Sequence, residues 1–222
     1  MNILLTNDDG ITSEKLEITK EILKQFGTVY VVAPSTQMSA KSMSLSIGGF
    51  EFEKIDEYTY SIEGTPVDCV KFGCFGLDVD FDLVVSGTNN GYNLGIDINY
   101  SGTVGATLQA QYYHVPSIAL SADRKGNKIL KEELAKSIQY IIDNNLLSES
   151  HTINVNYPRE KFVESKGIKE TIVHRQIYPY TPEIIGNKFV PHRGYISDVD
   201  LPDNSDLKAY LEGYTSISKV YL

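Results

Sequence analysis

The feature that most constrains the fold is a series of short, uninterrupted apolar runs separated by helical patterns. Ile3 to Thr6 is the first run and ends in a polar turn, Asn7-Asp8-Asp9-Gly10. Thr28 to Ala33 (TVYVVA) is the second and closes at Pro34. Between them Leu16, Ile18, Ile22, Leu23 and Phe26 recur at helical spacing, Thr12 or Ser13 is placed to cap the start, and Gly27 stops the helix. Apolar runs without alternation suit strands covered on both faces. Strand, helix, strand within about 30 residues is a βαβ unit, whose two strands lie parallel.

The alternation continues. Ser35 to Ser46 is polar and reads as a loop running into an edge strand. Phe50-Glu51-Phe52 and Tyr58 to Ile62 alternate as a β-hairpin, and Pro66 to Phe75 reads as a helix capped by Thr65. Asp82 to Ser86 is a third buried strand, followed by a Gly/Asn-rich loop over 87–101 and a helix from Thr103 to Tyr113. Ser117 to Leu120 is a fourth strand, Leu130 to Asn144 a helix, and Thr152 to Asn156 a fifth strand. The expected fold class is α/β: a doubly wound, mostly parallel, Rossmann-like sheet with β-hairpin excursions. After Pro158 the pattern weakens. Ile168 to Ile177 reads as a strand, Lys188 to Ile196 as irregular, Leu207 to Leu211 as a short helix and Tyr214 to Leu222 as a last strand. With 222 residues and 41% hydrophobic content, one domain over 1–222 is expected. Its core spans about 1–158, and 159–222 is a C-terminal extension available as an oligomerisation arm.

Charge and cysteine usage exclude several classes. Acids outnumber bases 29 to 20, for a net charge of −9, so duplex nucleic acid is not an expected partner. Cys69 and Cys74 do not form a CxxC pair and are expected to pack as small apolar residues. No apolar run reaches the ~18 residues of a membrane span, and the N-terminus does not read as a signal peptide. A cytoplasmic protein is expected. The four histidines are scattered with no HExxH spacing, which argues against catalytic zinc.

In an open parallel sheet, ligands bind beyond the carboxyl ends of the strands. Three polar loops leave those ends, and Asp8-Asp9 is the sharpest feature among them. Adjacent carboxylates repel unless a cation sits between them, and oxygen-only ligands select a hard ion such as Mg²⁺ or Mn²⁺. Asn-Asp-Asp-Gly is also ordinary turn chemistry. Ser86 to Gly105 (SGTNNGYNLGIDINYSGTVG) carries five glycines and four asparagines. It feeds a helix whose start, Ser101-Gly102-Thr103, would favour a phosphate, although Ser101 also reads simply as a cap. No Gly-Lys-Ser/Thr follows, so this is not a P-loop. Gly64 to Asp68 reads as a capped helix start.

Taken in order, Ile3 to Gly10 (ILLTNDDG), Val31 to Ser39 (VVAPSTQMS), Gly64 to Val70 (GTPVDCV) and Asp82 to Gly105 closely resemble the SurE family of metal-dependent 5′-nucleotidases. Thr152 to Pro158 and Glu212 to Leu222 resemble its later segments. The resemblance implies a divalent-metal phosphatase acting on nucleoside 5′-monophosphates, and in some members on 3′-nucleotides and short polyphosphate. It implies one ion held by Asp8, Asp9, Ser39 and Asn89, with Asn93, Ser101, Gly102 and Thr103 at the substrate phosphate. It also implies a homodimer or homotetramer. The sequence departs from the pattern at Ser35-Thr36-Gln37-Met38, where the family often has Asp and Arg, and at Ala40, where glycine is usual. The C-terminal region is shorter than is usual in the family.

Two carboxylates and two neutral oxygens leave such an ion coordination positions for water and a phosphate oxygen. The expected mechanism is in-line attack by metal-activated water, with Asp8 and Asp9 as the catalytic acids and Asp8 orienting the water or accepting from it. An aspartyl-phosphate on Asp8 is the rival chemistry. A nucleotide- or metal-sensing module without turnover, or a phosphatase for a non-nucleotide ester, is the rival function.

Overall fold

Ile3, Leu4 and Leu5 are all fully buried, yet successive side chains of a strand point to opposite faces. The first strand must therefore be covered on both sides. In the computed structural model, which describes residues 1–175, 178–194 and 201–222, it is. Ile3 and Leu5 join one core with Val29, Val31, Leu83, Val85 and Leu134. Leu4 faces the other, with Val32, Val70, Val84 and Ala106.

The elements run β1 (Asn2–Thr6), α1 (Glu14–Leu23), β2 (Thr28–Pro34), β3 (Phe52–Lys54), β4 (Thr59–Ile62), α2 (Pro66–Gly76), β5 (Leu83–Asn90), α3 (Gly102–Tyr112), β6 (Ser117–Ala122), α4 (Lys128–Asp143) and β7 (Thr152–Asn156). They continue with β8 (Ile168–Thr171), β9 (Tyr180–Ile185), β10 (Lys188–Arg193), α5 (Asp206–Glu212) and β11 (Thr215–Val220). Nine strands form one sheet in the order β3-β4-β2-β1-β5-β6-β7-β11-β8. Within that sheet, among the described residues, only the β3/β4 and β7/β11 pairings are antiparallel, and β9 and β10 form a separate two-stranded sheet. The core residues of α1 and α4 cover one face and those of α2 and α3 the other, so the expected α/β doubly wound sheet is present. Strand order reverses between β1 and β5, and the carboxyl ends of those two strands define the crevice.

Local chemistry sets the boundaries. Thr65 caps α2 by accepting from the Asp68 N–H, the Asp68 carboxylate accepts from the Thr65 N–H, and Pro66 fills the first position. Ser13 holds the cap position of α1 without a side-chain bond. Cys69 and Cys74 are free thiols packed into the second core; burial pushes the Cys74 thiol up to about 11. No helix among the described residues is long and apolar enough to cross a membrane.

Three expectations change. The third strand does not stop at Ser86: β5 runs on to Asn90, and Asn89 and Asn90 pair with Ser121 and Ala122 of β6. Glycine permits this, because a Cβ on Gly87 would lie 2.4 Å from the Leu120 carbonyl oxygen. The strand expected over 168–177 ends at Thr171. Beyond it the chain leaves β11 and bonds instead to the 204–206 segment, with Ile172 N–H donating to the Asn204 carbonyl at 2.9 Å. Residues 176–177 of that expectation lie outside the described residues. The stretch read as irregular from Lys188 is strand β10, paired with β9 across Gly186-Asn187; residues 195–196 of it lie outside the described residues. Both hairpin strands are largely exposed, so no apolar alternation marks them. The Gly-Asn dipeptide was the available signal.

Candidate active site

The turn after β1 is locked by Asn7, whose side-chain oxygen accepts from the Gly10 N–H at 3.1 Å and whose Nδ2 donates to the Gly10 carbonyl at 3.0 Å. Gly10 sits at φ +99°, where a side chain would be strained. Each of the two carboxylates that follow has its own hydrogen-bond partner. Asp8, only 4% exposed, accepts from the Thr103 hydroxyl at 2.8 Å. Asp9 accepts from the Asn90 N–H at 2.9 Å. Burial raises the Asp8 carboxyl to about 6; the Asp9 charge adds to the rise and the Thr103 hydroxyl opposes it. Thr103→Val keeps the side-chain shape and removes that opposition. The Asp8 carboxyl of the metal-free variant should then titrate above its wild-type midpoint, as read by carboxyl NMR. An unchanged midpoint would contradict this assignment.

The N-terminus of α3 abuts Asp8. Ser101 caps it by accepting from the Val104 N–H at 3.1 Å. The first N–H groups of a helix have no intrahelical acceptor, so those of Gly102 and Thr103 remain available to an anion. A Cβ on Gly102 would lie 3.2 Å from the Asp8 Cβ and 3.4 Å from the Met38 carbonyl oxygen, which is how close turn, helix and loop come.

The loop after β2 is pinned at both ends. Met38 N–H donates to the Asp8 carbonyl at 2.7 Å, which sets Ser39 one residue from that bond. Ser39 is exposed, and its hydroxyl accepts from Gln37 Nε2 at 3.0 Å. Ala40, at the position where glycine resembles the family, adopts φ +57°, the left-handed region. The Ser42 carbonyl lies over Gly105 of α3, and Ser46 donates to the buried Asp68 carboxylate from both its N–H and its hydroxyl. The capped helix start at Gly64 to Asp68 therefore also anchors this loop.

Asn89, half-buried at the end of β5, donates to the Gly91 carbonyl at 3.2 Å, and its side-chain oxygen makes no hydrogen bond among the described residues. Asn93 is tied inward. Its Nδ2 donates to Ser121 at 2.8 Å and its backbone meets Asn154 and Asn156. One N–H of its amide remains beyond the Ser121 bond. Bonded contacts thus bring Asp8, Asp9, the Ser101–Thr103 helix start and the loop carrying Ser39 together, with Asn89 beside the Asp9–Asn90 bond.

This donor set fits a hard divalent cation. Asp8 is a nearly buried carboxylate beside a second one, with a single hydroxyl donor and, among the described residues, no cationic side chain bonded to it. Among the described residues no group of three or more His, Cys, Asp or Glu is arranged to hold a metal ion. A hard ion at such a pair needs neutral oxygens to complete its shell, and Ser39 and Asn89 carry such oxygens.

Two cations escaped the sequence reading. Lys15, 4% exposed, donates to Asn127 Oδ1 at 2.7 Å and to the Gly126 carbonyl at 3.3 Å. Burial lowers its pKa, while Glu14, Asp9, Asp123 and Glu160 hold it up. Arg124 donates from Nε to the Asn90 carbonyl at 3.2 Å. Neither carries a motif; only the position of the 123–127 loop beside the crevice reveals them. Asp206 in the C-terminal segment pins that segment to the 91–95 loop by accepting from the Gly95 N–H at 2.8 Å.

The profile of a family described as "Survival protein SurE" matches residues 3–179. A protein named 5′-nucleotidase SurE from Petrotoga mobilis is 37% identical over 231 residues, covering 98% of this chain and 92% of that protein. One of the same name from Clostridium botulinum is 35% identical over 236 residues, covering 100% of this chain and 93% of that protein. The crystal structure of the SurE protein from Aquifex aeolicus superposes with a TM-score of 0.86 at 34% identity, covering 100% of this chain and 93% of that one. Motif order, sheet topology and full-length similarity agree: the chain belongs to the SurE family.

Proposed function

We propose that the protein is a divalent-metal-dependent phosphatase that hydrolyses nucleoside 5′-monophosphates to nucleoside and phosphate, with 3′-nucleotides and short polyphosphate as further substrates. The observation that carries this reading is the buried Asp8 carboxylate, paired with Asp9 and set against the amino end of α3. A carboxylate pair there calls for a cation, and the helix start beside it calls for an anion. A phosphate ester and one Mg²⁺ or Mn²⁺ satisfy both. Full-length relatives named 5′-nucleotidase support the substrate class.

Asp8, Asp9, Ser39 and Asn89 would hold the ion. When bound, it draws charge from the phosphoryl oxygens and acidifies water. The Gly102 and Thr103 N–H groups donate to phosphate oxygens, and Ser101 keeps that helix end rigid through its cap. Asn93 offers its remaining amide N–H. Asp8, oriented by Thr103, would align the attacking water in line with the leaving nucleoside oxygen and take its proton; as the water oxygen bonds to phosphorus the bond to the nucleoside oxygen breaks, and that oxygen takes up a proton from solvent. Because the net charge is −9, this local set of donors is what lets an anionic substrate approach. Self-association as a homodimer or homotetramer belongs to the same reading; Ile184 and Phe189, 75% and 63% exposed on the β9–β10 hairpin, support it.

Phosphate release from a panel of nucleoside 5′- and 3′-monophosphates and tripolyphosphate tests the reading. Release is expected with Mn²⁺ or Mg²⁺, absent after EDTA, and restored when metal is returned. Release that survives EDTA, or none from any substrate with metal bound, would overturn it.

A further inference from the structure

Lys15 is an unusual place to put a charge. Its side chain is 4% exposed, yet its ammonium is bonded to two neutral acceptors, Asn127 Oδ1 at 2.7 Å and the Gly126 carbonyl at 3.3 Å. Burial disfavours the charged form, and Glu14, Asp9, Asp123 and Glu160 favour it. A buried cation is costly unless well bonded, and a methionine of about the same length would fill the space without a charge, so packing does not account for the lysine. What the ammonium adds is a tie between the first turn of α1 and the loop after β6, 112 positions along the chain.

That loop is fixed at both ends. At its start the Asp123 carboxylate accepts from the Lys125 and Glu160 N–H groups, at 3.1 and 3.2 Å. At its end Glu160 accepts from the Ile129 N–H at 3.1 Å, and a Cβ on Gly126 would lie 3.0 Å from Glu160 Cγ. Between them Arg124 donates from Nε to the Asn90 carbonyl at 3.2 Å. The Asn90 N–H donates in turn to Asp9 at 2.9 Å. Asn90 is thus gripped on both sides, by a cation at its carbonyl and a carboxylate at its N–H. The peptide that carries this N–H joins Asn89 to Asn90, so the same grip sets Asn89. The line from Lys15 to Asp9 runs through Asn127, Arg124 and Asn90.

We propose that Lys15 is a positioning residue for the Asp9 and Asn89 side of the ion site. Its ammonium holds the 123–127 loop against α1, the loop holds Arg124 on the Asn90 carbonyl, and that contact keeps the Asn90 N–H on Asp9. Lys15 acts only through these partners. The inference rests on the metal-site reading above. Groups that orient metal ligands from behind are worth about 10–100-fold in metal affinity.

The test compares metal-free wild type, Lys15→Met, Arg124→Met and the double variant. Mn²⁺ binding is titrated by calorimetry, and amide hydrogen exchange is followed at Asn90 and at Val84, in the buried part of the same strand. Each single variant should weaken Mn²⁺ binding about tenfold or more and speed exchange at Asn90 about tenfold relative to Val84. The double variant should bind about as weakly as either single one, because both act through one contact. A lysine that merely staples helix to loop predicts exchange that speeds equally at both amides, or effects on Mn²⁺ that multiply. Either result, or unchanged Mn²⁺ binding in Lys15→Met, would overturn the proposal. If Lys15→Met does not fold, Asn127→Ala removes the acceptor of the same bond and takes its place with the same expectations. If wild type binds no Mn²⁺, the metal-site reading fails and exchange alone decides: selective speeding at Asn90 in Lys15→Met sustains the link, and its absence overturns it.

Discussion

Asp8→Asn should abolish phosphate release and, in the metal-free protein, raise stability. The loss of rate is expected to be about 10³-fold or more at saturating Mn²⁺, beyond the ~10²–10³-fold typical of removing one neutral donor, because in the proposed mechanism the variant loses both an anionic ligand and the group that orients water. The gain in stability follows from the raised carboxyl. Its pKa is about 6 in the folded protein against about 3.9 unfolded. The protonated form is thus favoured by folding; its contribution is complete below about pH 4 and lost as pH rises through about 6. At pH 7 to 8 the metal-free protein therefore carries a nearly buried charge that costs up to about 3 kcal/mol. Asparagine has the same shape and no charge. Denaturant unfolding with EDTA should show the variant more stable than wild type by up to that amount at pH 8, and the gap should close by pH 4. Rate retained in the variant would remove Asp8 from the mechanism. A gap that does not vary with pH would remove the buried charge from the explanation.

Gly105→Ala should separate loop placement from folding. A Cβ at Gly105 would sit 2.4 Å from the Ser42 carbonyl oxygen, a backbone atom that cannot move without the loop. The same loop carries Ser39 and is held to Asp8 through Met38. Displacing it by about 1 Å should lower kcat about 10²-fold, the scale of such misplacements. Alanine is meanwhile the better helix former by about 1 kcal/mol. The variant should therefore unfold at or near the wild-type temperature while its rate falls and its metal affinity weakens. A variant with full rate would show that the loop closes elsewhere. One that fails to fold would show that Gly105 serves the core of the helix pair instead.

The alternation of apolar runs made the sheet legible before the structure, because parallel strands buried on both faces leave an unmistakable pattern in Ile3 to Leu5, Val29 to Ala33 and Val84 to Val85. The crevice was legible for the same reason: it lies at the carboxyl ends of those runs. The β9–β10 hairpin was not, since strands exposed on both faces carry no alternation. The extension of β5 through Gly87 to Asn90 was hidden by composition, because Gly and Asn read as loop until a neighbouring strand supplies the pairing. Asp8 and Asp9 announced themselves by adjacency. Lys15 and Arg124 did not, because each reaches the crevice from a different element, through contacts that no spacing along the chain encodes.

The placement of one divalent ion is the central claim, and anomalous diffraction from crystals soaked in Mn²⁺ tests it most directly. The expected result is a single strong peak within about 2.0–2.6 Å of oxygens from Asp8 and Asp9, close to Ser39 and Asn89, and lost in Asp8→Asn. No peak at this turn at saturating Mn²⁺, or one bound elsewhere while phosphate release proceeds, would contradict the account.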